Sequence, residues 1–310
     1  MSSATSRIRW RRLSSAEKRE AKWGIFFLSP WIIGFFLFIF IPMAMALSYS
    51  FMDFNAMAPD EASFTGLDNY RRLLGDEIAW RSLFITAMYV FIWTPISVAV
   101  PLFLATLLHS KYLIGGRFFR LGFYLPTLVP EIAVFFIIGG FFFGRGWFYQ
   151  LILQPFDIDP ENMLFSSFVA LVIFSTSLWG IGNLILILLA GKQGVPEELY
   201  EAAEVDGAGF LCKYVKITLP FMSPIIFYSL IISLITAFQL FAAPFLLGGS
   251  GFDQDNPAMF FTVYIVSQLT IFQDLGYAAT LGWLLTLFIA VVAGLVFFSS
   301  RYWVFYGDES

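Results

Sequence analysis

The residues that could carry out chemistry are few in this sequence, and they do not form a catalytic pattern. The chain has one histidine, His109, and one cysteine, Cys212, so a His pair, a Cys/His metal cluster and an internal disulfide are all excluded;. Neither a serine elbow nor a nucleotide-binding loop is present, since Gly191-Lys192-Gln193-Gly194 lacks the phosphate-loop spacing;. If ATP drives this protein, another chain must bind the ATP and its Mg²⁺, and this chain needs no cofactor or metal.

The polar residues with the most regular sequence pattern lie in the stretch Pro196–Pro220. This pattern predicts a helix, a turn and a second helix. Pro196 and the two glutamates after it suit the first turn of a helix, and Gly207 marks a helix stop. A second short helix is expected over 208–216. The adjacent Ala202 and Ala203 have almost no side chain, so a partner surface can approach them closely. From the residue types alone, an ordinary solvated loop is an equally good interpretation.

The elements that must position these residues are membrane-spanning helices. The chain of 310 residues is 59% hydrophobic and only 13% charged, whereas soluble domains carry about 25% charged residues. The first apolar run is too long for a signal peptide and is interpreted as a retained span. Six spans are expected, at about 23–51, 82–109, 121–143, 164–190, 220–247 and 275–303, which predicts an all-α membrane protein with a single transmembrane domain over 23–303.

The basic residues predict the orientation of these spans. Of the 18 lysines and arginines, fourteen fall in the N-terminal tail 1–22, in the loops after spans two and four, and beside the tail 304–310. Only four fall in the other loops. Because basic residues concentrate on the cytoplasmic side, both termini and the loop 191–219 are expected in the cytoplasm.

One acidic residue, Glu131, lies inside the third span, which Pro126 and Pro130 interrupt. A carboxylate near the middle of the bilayer costs a few kcal/mol unless it faces protein or water. Two interpretations stay open: a polar contact in a solute path, and a protonated or hydrogen-bonded structural glutamate.

The stretch Pro196–Pro220 resembles the EAA motif of ABC-importer permeases, and in its fuller form the carbohydrate-uptake branch of maltose-type inner-membrane components. The resemblance extends from about residue 24 to 306; Ser250 departs from it, because proline is usual there. It implies the type I permease fold and contact of the loop with a separate ATPase. The residues that carry the motif are Glu201, Ala202, Ala203, Asp206, Gly207, Ala208, Ile217, Leu219 and Pro220.

The same resemblance implies that sugar contacts come from spans four and five. Three of the span-four positions also share one helical face, beside a tryptophan. Hydroxyls and an aromatic surface suit a sugar, but Ser, Thr, Asn and Gly are equally common as contacts between membrane helices. The candidates, with Glu131, are Thr176, Trp179, Gly180, Asn183, Ser233, Thr236, Ala237 and Leu240.

The resemblance implies a permease subunit of an ATP-driven importer for a sugar or oligosaccharide, in a bacterial or archaeal plasma membrane. Its implied partners are a second permease, an ATPase dimer and an extracytoplasmic solute-binding protein; nothing points to nucleic acid. Two alternatives remain: an importer of another polar solute such as glycerol phosphate, and a membrane-embedded lipid-glycan transferase. An anionic solute would favour a basic residue in the path, and spans four and five contain none.

Overall fold

The protein is described by a computed structural model that covers residues 15–110, 113–142, 150–151, 154–156, 165–248 and 256–305. Most of the N-terminal tail, most of the loop 144–164, Ser250 and the end of the C-terminal tail lie outside the described residues. Two short strands, β1 (Met52–Asp53) and β2 (Ser63–Phe64), pair antiparallel. The helices are α1 (Ser15–Phe35), α2 (Ile41–Tyr49), α3 (Asp68–Leu74), α4 (Glu77–Leu108), α5 (Gly116–Tyr124), α6 (Glu131–Phe142), α7 (Phe165–Trp179), α8 (Gly182–Gln193), α9 (Glu197–Val205), α10 (Phe210–Lys213), α11 (Leu219–Phe238), α12 (Ala242–Gly248), α13 (Phe261–Thr270) and α14 (Leu275–Ser300).

Four helical stretches of the described chain are long and apolar enough to cross a membrane. They are Lys22–Tyr49, Glu77–Leu108, Phe210–Gly248 and Leu275–Ser300. Two bent helix pairs, α5 with α6 and α7 with α8, raise the number to six if each pair is one span. None of the most apolar part of the first stretch is buried within this chain, although its last helix, α2, packs against α14.

The two bent pairs break where small or cyclic residues interrupt the helix. Between Leu128 and Glu131 the direction changes by 100°, within the segment that contains the two expected proline interruptions;. Between Trp179 and Gly182 it changes by 48°. Gly182 lies against the backbone of α5, and a Cβ there would come within 2.6 Å of Thr127 Cγ2. This close approach of α8 to α5 therefore requires glycine.

Helix α4 is the centre of the bundle and packs against α8, α11 and α13. The larger core surrounds its first half, and includes Trp93, Ile173, Phe238 and Phe261. A smaller core surrounds its last turns, where Leu108 meets Leu188 and Met222. Two hydrophobic cores along one helix leave a less apolar zone between them, and the polar side chains described below lie there.

A hydrogen-bonded network ties the start of α4 to α13 and α14. Asp76 caps α4 by accepting from the backbone N–H of Ala79 at 3.0 Å, which places the helix start at Glu77, before the expected position near 82;. Its carboxylate also accepts from the hydroxyls of Tyr264, at 2.6 Å, and Tyr277. Burial raises the pKa of Asp76, but these hydrogen bonds outweigh burial and hold its pKa below the usual value;.

The connector between the first two long helical stretches is packed against α14. Asn69 donates to the carbonyl of Met52 at 2.8 Å, and Arg72 pairs with Asp274 at 2.6 Å. Gly276 of α14 lies directly against that same Met52 carbonyl, where no side chain fits. Helix α3 and the hairpin before it are thus held in place by tertiary contacts.

Candidate functional site

A cavity of about 530 Å³ lies between α4, the break at 126–131, the junction of α7 and α8, and the end of α11. Pro126 to Pro130 line one wall with irregular backbone. Eight side chains or backbones singled out from the sequence lie on the cavity wall: Glu131, Thr176, Trp179, Gly180, Ser233, Thr236, Ala237 and Leu240. The fold therefore brings segments distant in sequence to one space of the size that holds a small ligand.

Asn183 is the exception among the candidate residues. The sequence pattern places it on one helical face with Thr176 and Gly180, but it is exposed and does not line the cavity. The helix bends by 48° between Trp179 and Gly182. This bend interrupts the regular spacing on which the shared face depends. Asn183 is therefore turned out of the cavity that the other two residues share.

An aromatic wall, which the sequence analysis missed, comes from α4. Tyr89 and Trp93 line the cavity with near-parallel rings, 6.2 Å apart and inclined by 10°. The hydroxyl of Tyr89 bonds to Ser177 of α7 at 2.6 Å. Tyr89, Trp93 and Ser97 are spaced at i, i+4 and i+8 and therefore lie on one face of α4. The spacing is visible in the sequence once α4 is considered part of the site. The resemblance implies sugar contacts from spans four and five only.

The cavity hydroxyls are already engaged with protein oxygens. Thr176 donates to the carbonyl of Ile173 at 2.9 Å, and Thr236 donates to that of Ile232 at 2.9 Å. A hydroxyl has one hydrogen and two lone pairs, so these threonines offer acceptors to a ligand. Ser97 of α4 and Ser233 of α11 are hydrogen-bonded to each other and join the two helices.

The broken segment 126–131 is held by two side-chain contacts. The indole N–H of Trp179 donates to the carbonyl of Pro126 at 2.8 Å, which satisfies a group that the break removes from the helix;. After the break, Glu131 begins α6, and its carboxylate accepts from the backbone N–H of Ala243. The side chain is exposed and lines the cavity. Trp179 and Glu131 thus shape the same wall.

The motif loop begins with α9 and ends that helix with a glycine cap. Gly207 has φ of +76°, a conformation that strains other residues;. The N–H of Ala208 bonds to the carbonyl of Ala203 at 2.8 Å, and that of Gly207 to Glu204 at 3.0 Å. This pair of bonds is the Schellman motif. The predicted helix stop is therefore present at Gly207.

The second half of the loop differs from expectation, because it is not a separate helix over 208–216. From Phe210 the chain continues as helix through a π turn, Tyr214–Thr218, into α11. The hydroxyls of Tyr200 and Thr218 bond at 2.7 Å and fasten α9 to this helix. Helix α9 is thus joined to the base of α11 by a hydrogen bond, and no break separates the second half of the loop from α11.

The motif residues divide between an outer and an inner face. On the outer face, Val205, Phe210 and Leu211 are 90%, 69% and 74% exposed and form an apolar surface beside α9. Exposed apolar surface of this kind is typical of a contact with another protein. The exposed motif residues are Glu201, Ala202, Asp206 and Gly207; the half-buried ones are Ala203, Ala208, Ile217, Leu219 and Pro220.

The whole chain has the fold of an ABC importer permease. A solved structure, the crystal structure of a bacterial alginate ABC transporter in complex with alginate pentasaccharide-bound periplasmic protein, contains a chain that superposes with a TM-score of 0.80. That chain is 22% identical, and the match covers 94% of this chain and 98% of that one. At this identity the likeness concerns the fold alone.

The curated relatives show the family. The probable ABC transporter permease protein YesP of Bacillus subtilis (strain 168) is 31% identical over 92% of this chain and 93% of its own. The arabinooligosaccharides transport system permease protein AraP of the same organism is 32% identical, over 94% and 91%. No family model matches the chain. The chain belongs to the ABC transporter permeases, and it is accordingly a multi-pass protein of the plasma membrane.

Proposed function

We propose that this chain is one of two permease subunits of an ATP-driven importer for a sugar or oligosaccharide. In this assignment a second permease supplies the other half of the pathway, and an ATPase pair binds ATP and Mg²⁺. An extracytoplasmic binding protein delivers the cargo. The relative AraP is named for arabinooligosaccharides, and the solved alginate transporter was crystallised with its periplasmic protein. The chain itself acts as a transport subunit.

The observation that carries the assignment of a sugar cargo is the composition of the cavity. The aromatic residues Tyr89, Trp93 and Trp179 line the cavity together with Thr176 and Thr236. A sugar has flat apolar faces that pack on aromatic rings and hydroxyls that need hydrogen-bond partners. The cavity provides both, at a place where broken helices of spans three and four meet.

Coupling to ATP hydrolysis is proposed to enter through α9 and its neighbouring apolar surface. The sequence has no phosphate-binding loop, so the energy must come from another chain;. The exposed Glu201 and Ala202 face away from the bundle, while Tyr200 fastens the helix to the base of α11. Helix α8 precedes α9 and α11 follows it, and both reach the cavity. Closure of the ATPase pair would therefore shift two walls of the cavity together.

The same assignment places both termini and the loop 191–219 in the cytoplasm. Fourteen of the 18 lysines and arginines then lie on that side;. The connector 52–74 and the Asp76 network would face outward. This outer surface would receive the binding protein.

Reconstitution of the importer tests the proposal. The chain is combined with the second permease, ATPase and binding protein from its own cell, and ATP-dependent uptake of labelled arabino- and malto-oligosaccharides is measured in proteoliposomes. Uptake that needs ATP, this chain and the binding protein is expected. Uptake of glycerol phosphate instead would assign the cargo to the alternative class, and no uptake of any saccharide would contradict the proposal.

Two variants test the coupling loop in the same preparation. Glu201→Lys reverses a charge on the outer face of α9, and Gly207→Asp strains its cap. Both are expected to reduce stimulation of ATPase activity by the binding protein at least about tenfold, while the chain still inserts into the membrane. Glu20→Lys, an exposed charge reversal at the start of α1, is the matched control. Transport that survives both loop variants unaltered would exclude this loop as the coupling element.

A further inference from the structure

The electric charge of the cavity indicates which saccharides can pass. We propose that Glu131 makes this cavity a charge filter, which favours neutral and cationic saccharides over acidic ones. The inference rests on the proposed function and names the substrate class of the same site. It is carried by two observations, the charge of the cavity wall and the direction of its hydrogen bonds.

The first observation is that Glu131 is the one formally charged side chain among the described residues that line the cavity. The remaining lining residues of the described chain are aromatic, aliphatic, hydroxyl, amide, proline or glycine. Its carboxylate is exposed there and accepts a hydrogen bond from the backbone N–H of Ala243. A negative charge surrounded by apolar walls acts over a longer distance than in open water.

The second observation is that the two threonine hydroxyls and the indole N–H on the cavity wall are already donated within the protein, so these groups have no hydrogen left for an anion, although the amide of Gln239 also lines the cavity. Thr176 and Thr236 donate their hydroxyl hydrogens to helix carbonyls. Trp179 donates its indole N–H to Pro126. These groups, like the Glu131 carboxylate, therefore present oxygen lone pairs or a ring face to a ligand. Sugar hydroxyls and ammonium groups donate hydrogens and fit this pattern; a sugar carboxylate does not.

The size of the effect follows from the distance between charges. Two unit charges of like sign about 8 Å apart, at an effective dielectric constant of about 40, repel enough to weaken binding about fivefold. A cation is favoured by the same factor, so a cation and an anion of equal size should differ by about 25-fold without salt, and by roughly tenfold when salt screens the charge. Loss of the Glu131 charge should abolish most of that difference.

A thiol-reaction experiment measures the charge of the cavity without knowledge of the cargo. In the assembled importer in detergent, the exposed Cys212 is replaced by serine and a thiol is placed in the cavity by Thr236→Cys. Rates of modification by a cationic and an anionic methanethiosulfonate are read from the mass of this subunit. Each rate is divided by the rate at which the same reagent modifies β-mercaptoethanol in solution.

The cation-to-anion ratio at the introduced thiol is expected to be roughly tenfold above that of free β-mercaptoethanol. Glu131→Gln, which keeps the shape of the side chain, should lower the ratio at least about threefold. Glu20→Gln, which removes an exposed charge from the start of α1, should leave it unchanged. Copurification of the partner subunits shows that each variant assembles. If Glu131→Gln leaves the ratio unchanged, Glu131 carries no charge in the cavity. This result overturns the filter.

An uptake experiment separates the filter from the proposed function. Neutral malto- and arabino-oligosaccharides are compared with the same molecules oxidised to terminal uronates and with glucosamine oligomers, each with the binding protein saturated. Acidic saccharides are expected to enter at least about tenfold more slowly than the best neutral or cationic one. Equal or faster uptake of an acidic saccharide overturns the filter and leaves the importer assignment intact. If no saccharide enters, the importer assignment fails, and the thiol reaction still decides the charge of the cavity.

Discussion

Replacement of Asp76 by alanine tests the network that joins α4 to α13 and α14. The change removes the cap of α4 and the shared acceptor of two tyrosine hydroxyls. Tyr264 is 4% exposed and Tyr277 is 0% exposed, so water does not readily replace the carboxylate. Loss of the cap costs about 1 kcal/mol. Each buried donor left without an acceptor costs about 1–3 kcal/mol.

The variant is therefore expected to lose roughly 3–7 kcal/mol of unfolding free energy. For a chain of this size, that corresponds to a fall of about 5–15 °C in the unfolding midpoint. The midpoint is measured on the purified chain in detergent at one scan rate, because unfolding of such proteins is often irreversible. Asp68→Ala is the matched control, since Asp68 and Arg71 form an exposed pair at 2.8 Å. Such pairs contribute about 0–1 kcal/mol.

Equal effects of the Asp76 and Asp68 variants would refute the reasoning. The pH dependence supplies a second criterion. Because the folded pKa of Asp76 is lowered, its contribution is present above the unfolded value near 3.9 and is lost as pH falls through the folded value;. The difference between wild type and Asp76→Ala should therefore narrow below about pH 4. A difference that stays constant from pH 7 to pH 3 would show that the carboxylate charge contributes nothing.

Three further substitutions test contacts around the site. Gly182→Ala pushes α8 from the backbone of α5 and should lower the unfolding midpoint by several degrees;. Gly282→Ala, on an open side of α14, is the control and should leave the midpoint unchanged. Equal midpoints of the two variants would contradict the close contact. Tyr200→Phe removes the bond between α9 and the base of α11 and should reduce ATPase stimulation by the binding protein several-fold with little change in midpoint; full stimulation would show that the bond does not transmit movement. Trp179→Phe leaves the Pro126 carbonyl without its donor and should destabilise the broken segment 126–131 by about 1 kcal/mol;. The variant should also lower oligosaccharide uptake in proteoliposomes. Unchanged uptake would exclude a role for this bond in transport.

The elements of this fold follow from local features of the sequence. Long apolar runs predict membrane helices, because every backbone polar group in lipid must be bonded internally. The glycine at 207 predicts the end of α9, because a positive φ suits glycine and few other residues;. The prolines at 126 and 130 mark the broken third span. Each feature acts over a few residues, so it is readable without knowledge of the fold.

The structural details that the sequence did not predict depend on contacts between distant segments. The extra turns at the start of α4 depend on Asp76, whose partners lie in α13 and α14. The second motif helix merges with α11, because no stop signal separates them. Asn183 does not share the face of Thr176 and Gly180, because the chain bends between α7 and α8, where α8 packs on α5. Whether the remaining cavity residues touch a sugar stays a prediction.

By itself, the sequence determined the class of protein, the helical segments, the glycine cap of the motif loop and the lack of a nucleotide-binding loop. Those properties depend on composition and on spacing within single segments. Only the tertiary structure decided that Tyr89 and Trp93 of α4 face Glu131 and Thr236 across one cavity. The reason is that helix packing, rather than any local signal, sets which faces of separate helices meet. The charge and hydrogen-bond direction of that cavity are therefore properties of the assembled fold.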